Sequence, residues 1–159
     1  MYHLPAYQEL LLWIYSAAFF SMGLIIHTRV QTLPHSGWAG TFRWLAGFGF
    51  WHAIADAGEL LILHDLNSPE LLAAQAACEA VSWVFLLQFG LQLLRPRPGE
   101  RSWPVPDGVA RIALYGWVLL FIWYGSQEQW TEARVLSRYL LGVPATLLTA
   151  LALLRPQAG

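Results

Sequence analysis

The run Leu10 to Ile26, LLLWIYSAAFFSMGLII, carries no charge. With the apolar residues around it, it is long enough to cross a hydrocarbon core of about 30 Å at a rise of about 1.5 Å per residue. It does not read as a cleavable signal peptide, because no basic stretch precedes it, Glu9 stands at its head and no small-residue cleavage site closes it. The helix is expected to remain in the mature protein.

Four further apolar segments follow, each bounded by charges or by Pro and Gly clusters that break helices. The expected fold is all-α, an integral membrane bundle of five transmembrane helices over residues 8–27, 40–64, 69–94, 109–126 and 132–154, in one domain. Two alternatives stay open. The second segment carries His52, Asp56 and Glu59 and can be re-entrant, and the fourth is short enough to tilt or stop partway. Composition agrees with a bilayer: 57% of residues are hydrophobic and 12% charged, with nine tryptophans, against about 45–50% and 25% in soluble domains.

The charges exclude other classes. A net charge of −1 offers no basic stripe for nucleic acid. The lone Cys78 can form neither an internal disulfide nor a CxxC metal site. Placement of the arginines orients the bundle: Arg29, Arg43, Arg95, Arg97, Arg101, Arg111 and Arg155 flank one set of helix ends, whereas Glu9, Asp65, Glu70, Glu128 and Glu132 lie on the other with Arg134 and Arg138. The positive-inside rule puts the N-terminus outside and the C-terminus in the cytoplasm, which in a bacterium means a multi-pass protein of the inner membrane. LQLLRP and LALLRP close the third and fifth segments, and both read as helix exits, arginine suiting the C-terminal dipole and proline ending the helix.

Ionisable groups inside a membrane are costly unless paired or hydrated, so they mark the candidate site. His52, Asp56 and Glu59 share one face of the second helix. Measured from the outer end near His64, they lie about 18, 12 and 7 Å deep, and Glu79 on the third helix lies about 12 Å deep, level with Asp56. Asp56 and Glu79 are candidates for a shared proton. Arg138, placed near the level of Glu59, is expected to pair with it. Bundle glue and snorkelling are the competing explanations for Glu59 and Arg138. Trp51 and Trp83 flank the stripe and are candidate walls of a pocket, with core packing as the alternative. Gly142 and Pro144 are expected to disturb the fifth helix.

Histidine also raises a haem b or metal reading. His52 near mid-membrane is mismatched in depth with His27, so a bis-histidine haem fits poorly. His3 and His64 share the outer boundary, and His52, His64 and His3 are the candidate metal ligands.

Two segments, LAGFGFWHAIADAGELLIL and SRYLLGVPATLLTALALLRP, resemble the N-terminal multi-helix membrane modules of bacterial sensory histidine kinases and diguanylate cyclases. The pattern in those modules is FGxxHGxxEW in an early helix and RYLLGxPGALLAAL in the last. His52, Arg138, Tyr139, Gly142 and Pro144 match it, whereas Asp56 stands where the pattern has Glu and Ala53 where it has Gly. The resemblance covers about a third of the chain. It implies the input part of a longer receptor, a homodimer that passes a signal down its last helix to a cytoplasmic output domain or response regulator. The signal would be a small or lipophilic ligand, or the membrane or proton state. No catalytic activity is expected within the chain, since no nucleophile–base pair, HExxH or glycine-rich motif is present. A haem or metal bundle and a small proton-coupled carrier are the alternatives.

Overall fold

The computed structural model describes residues 6–32, 39–64, 68–95 and 108–154, and among them every regular element is helical. The helices are α1 (Ala6–Thr32), α2 (Ala39–Leu63), α3 (Pro69–Leu93), α4 (Val109–Ser126), α5 (Trp130–Ser137) and α6 (Val143–Leu154). A π-helical turn, Arg138–Gly142, joins α5 to α6, so that one rod runs from Trp130 to Leu154. This last rod begins two residues before the expected 132 and α1 extends five residues past the expected 27.

Local chemistry explains the ends. Ser68 caps α3 by accepting the Leu71 N–H at 3.2 Å, and Pro69 occupies the first helical position, where no N–H is needed. α4 closes with a Schellman pair: Glu128 N–H bonds Gly125 O at 3.1 Å and Gln129 N–H bonds Tyr124 O at 3.0 Å. Glu128 holds the left-handed position of that ending, at φ 57°. The chain therefore reverses into α5 within a few residues.

Helix pairings follow from named contacts. Ser16 donates to Ala53 O while Gly23 lies against Ala46, which sets α1 antiparallel to α2. His52 meets Ser82 while Gln75 meets Ala55, so α2 and α3 are antiparallel too. Glu79, Trp83 and Gly90 meet Arg138, Gly142 and Thr149 in that order, which makes the last rod parallel to α3. α3 is the hub, packed by α2, α4, α5 and α6, whereas α1 packs mainly on α2.

The packing is compatible with helices in lipid. Among the described residues, nine of the seventeen buried hydrophobic ones are alanines, while leucines, isoleucines and aromatic rings stand exposed along α1, α4 and α6. In water this arrangement would leave large apolar faces wet. In a bilayer no hydrophobic force separates helix from lipid, so small residues that permit close approach hold the interfaces. Gly49 shows the closeness: a Cβ there would lie 2.7 Å from Phe19 O and 3.0 Å from Gly23 Cα. α1, α3 and the Trp130–Leu154 rod are long and apolar enough to cross a membrane. α2 has 25 residues but carries Arg43, Asp56 and Glu59, and α4 with 18 residues is about 27 Å long at 1.5 Å per residue.

The expected disturbance at Gly142 and Pro144 takes the form of the π-turn. Val143 N–H bonds Arg138 O, a span of five residues, and Pro144 has no N–H to give the next carbonyl. Ala133, Ser137, Leu141 and Ala145 are all buried at steps of four. In an unbroken α-helix such a stripe drifts by about 40° per step. The extra residue in the π-turn absorbs the drift and keeps the stripe against α3.

Candidate functional site

On α2, His52, Ala55, Asp56 and Glu59 lie at helical spacings on the face turned to α3. On α3, Gln75, Glu79 and Ser82 are buried and Trp83 stands beside them. On the last rod, Arg134 and Arg138 are four residues apart and therefore share a face. These three elements form a half-open cavity of about 220 Å³ lined by His52, Ala55, Asp56, Glu59, Gln75, Glu79, Trp83 and Arg138.

An ion-pair network borders it. Arg134 bridges two helices, Nη2 bonding Glu59 Oε2 at 2.8 Å and Nε bonding Glu79 Oε2 at 3.1 Å. Arg138 Nε bonds Glu79 Oε1 and its Nη2 bonds Glu79 Oε2 at 3.4 Å. The Glu79 side chain is 4% exposed and carries two guanidinium partners. Burial of that carboxylate is tolerable only because both oxygens are engaged by charged donors.

The expected Glu59–Arg138 pair is corrected: Glu59 pairs with Arg134, and Arg138 pairs with Glu79. Arg138 lies two turns inside a rod that begins at Trp130, about 6 Å deeper than Arg134 by helical rise. No hydrogen bond joins Asp56 to Glu79, the two candidates for a shared proton. Both line the cavity, but Glu79 is held by the two arginines.

His52 sits in an aromatic box, its ring 4.5 Å from Phe19, 5.1 Å from Phe48 and 5.0 Å from Trp83 between centroids. Its Nδ1 lies 3.0 Å from Ser82 Oγ, and Ser82 gives its only proton to Glu79 O at 2.6 Å. The histidine must therefore donate from Nδ1, which fixes the tautomer. Trp83 lines the cavity and also packs against both core clusters, so closely that a Cβ on Gly142 would lie 3.1 Å from its ring. Trp51 does not line it. It is 38% exposed on the outward face of α2, since one residue along a helix turns the side chain by about 100° away from His52.

The metal set His52, His64 and His3 does not assemble as such. His64 is exposed and bonds Glu9 at 3.1 Å; twelve residues of α2 separate it from His52 by about 18 Å. His3 lies outside the described residues. Among the described residues no three His, Cys, Asp or Glu side chains group as a metal site. Bis-histidine haem does not fit either: His27 packs against Phe50, about two turns of α1 beyond the Phe19 that touches His52.

Two residues of the network escaped the sequence argument. Arg134 was assigned to the boundary, although its spacing of four from Arg138 signals a shared face. Gln75 stands alone among alanines four residues before Glu79, which puts it on the Glu79 face. Comparison with protein families, with curated proteins and with solved structures finds no match to this chain.

Proposed function

We propose that the chain is a membrane-embedded sensory input module. Its five helical rods cross the bacterial inner membrane with the N-terminus outside, and the last rod carries the state of the cavity to a cytoplasmic output domain, a histidine kinase or diguanylate cyclase, in a homodimer. One observation carries the reading. The two cations of the last rod are both tied to Glu79 beside the cavity, Arg134 one turn before the π-turn and Arg138 as its first residue. A ligand or proton that competes for these carboxylates changes what restrains the last rod, and thereby biases two packings of the bundle. Arginine placement along the sequence supports the orientation.

The test is a fusion of residues 1–159 to the cytoplasmic part of a diguanylate cyclase, assayed in cells by cyclic dinucleotide level. Glu79→Gln is expected to change output severalfold at equal membrane abundance. Unchanged output from a correctly inserted fusion contradicts the sensor reading.

A further inference from the structure

Three carboxylates, Asp56, Glu59 and Glu79, stand against two guanidiniums around the cavity. Glu59 and Glu79 are matched by Arg134 and Arg138, but Asp56, half-buried on the same cavity, makes no hydrogen bond or ion pair among the described residues. Gln75 is 3% exposed, and its Nε2 donates to Ala55 O and to Glu59 Oε2, both at 3.4 Å. Those two acceptors fix the amide orientation and leave Oε1 buried with no partner among the described residues. His52 donates from Nδ1 to Ser82, so its Nε2 is the ring's acceptor nitrogen.

We propose that this cavity binds a small protonated primary amine, whose three N–H donors answer the Asp56 carboxylate, Gln75 Oε1 and His52 Nε2. A buried acceptor without a partner in a native fold calls for a donor, and the excess carboxylate calls for that donor to be charged. Trp83 lines the same cavity, and its Nε1–H, buried without a partner among the described residues, offers one donor to an oxygen further along the ligand. A bare metal ion is the poorer occupant. Among the described residues no three His, Cys, Asp or Glu side chains group as a metal site, and Glu59 and Glu79 are already engaged by the arginines. By volume the cavity suits a molecule of up to about ten heavy atoms, given that a cavity of about 150 Å³ holds benzene.

This inference deepens the sensor reading by naming the ligand class, and its test is binding rather than signalling. The full chain in lipid nanodiscs is titrated calorimetrically with n-butylammonium and 2-phenylethylammonium, with n-butanol and 2-phenylethanol as neutral counterparts and sodium chloride as competitor. At least one ammonium is expected to bind saturably, at least about tenfold tighter than its alcohol. Asp56→Asn is expected to weaken binding at least about tenfold. Gln75→Met, which keeps the volume and removes the acceptor, is expected to weaken it severalfold and serves if the Asp56 variant does not fold. Absence of saturable ammonium binding, equal binding of the alcohols, displacement by equimolar sodium, or full affinity in the folded variants overturns the proposal. Amine binding with an unresponsive output domain overturns the sensor reading alone; a responsive output domain with no amine binding overturns the amine site alone.

Discussion

Arg134 and Glu79, 55 residues apart in the chain, meet at 3.1 Å where the last rod crosses α3. The Arg134 side chain is 14% exposed and that of Glu79 is 4% exposed, so neither charge has water to fall back on. Each is tolerable inside the bundle because of the other and because Glu59 and Arg138 complete the network.

Removing Glu79 is therefore the most damaging single change at this site. Glu79→Gln leaves two arginines facing a neutral amide and is expected to cost about 3–5 kcal/mol. Glu59→Gln, at a side chain 33% exposed with one arginine partner, is expected to cost about 1 kcal/mol or less. Reversible unfolding in mixed micelles measures both, and equal losses would contradict the hub role of Glu79.

Glu128 occupies a left-handed backbone position that favours glycine. For a residue with a side chain that conformation costs roughly 1–2 kcal/mol. Glu128→Gly is expected to stabilise the α4–α5 turn by about 1 kcal/mol, whereas Glu128→Val should destabilise it. The same unfolding assay decides, and a loss of stability in the glycine variant would refute the Schellman ending.

Gly142 lies under the Trp83 ring, with room for no Cβ closer than 3.1 Å. Gly142→Ala is expected to cost about 1–3 kcal/mol through overpacking. Combining it with Trp83→Phe should recover most of that loss, because the smaller ring clears the methyl group. A double-mutant cycle with a coupling below about 0.5 kcal/mol would contradict the contact.

Membrane orientation is read by thiol labelling in a Cys78→Ser background. Gln127 lies at the end of the bundle that also holds Glu9 and His64, and Gln31 lies at the opposite end. In intact cells a membrane-impermeant maleimide is expected to label Gln127→Cys and spare Gln31→Cys. The reverse pattern would invert the proposed topology.

Particular residues show how far the sequence carries. The uncharged run Leu10 to Ile26 was enough to locate α1, because apolarity around the whole helix is a lipid signature that neighbouring helices do not alter. His52, Asp56 and Glu59 fell on one face because helical spacing is local. Partners across helices were less legible. Placing Arg138 opposite Glu59 required the start of the last rod; its start at Trp130, two residues early, sinks Arg138 by about 3 Å, and Arg134 takes Glu59 instead. Gly142 and Pro144 marked a disturbance, but the π-turn depends on the four-residue stripe Ala133, Ser137, Leu141, Ala145, whose burial is visible only once α3 is in place. Trp51 failed as a wall because depth along a helix says nothing of the direction in which a side chain points.

The central claim is that the charges beside the cavity set the position of the last rod. It is tested most directly by pulsed electron spin resonance between labels at Leu61 on α2 and Leu153 on α6, both exposed, in the Cys78→Ser chain in nanodiscs. Glu79→Gln is expected to shift the mean distance by about 1–2 Å or more relative to the native glutamate, or to split it into two populations. Superimposable distance distributions from the two folded proteins would contradict the account.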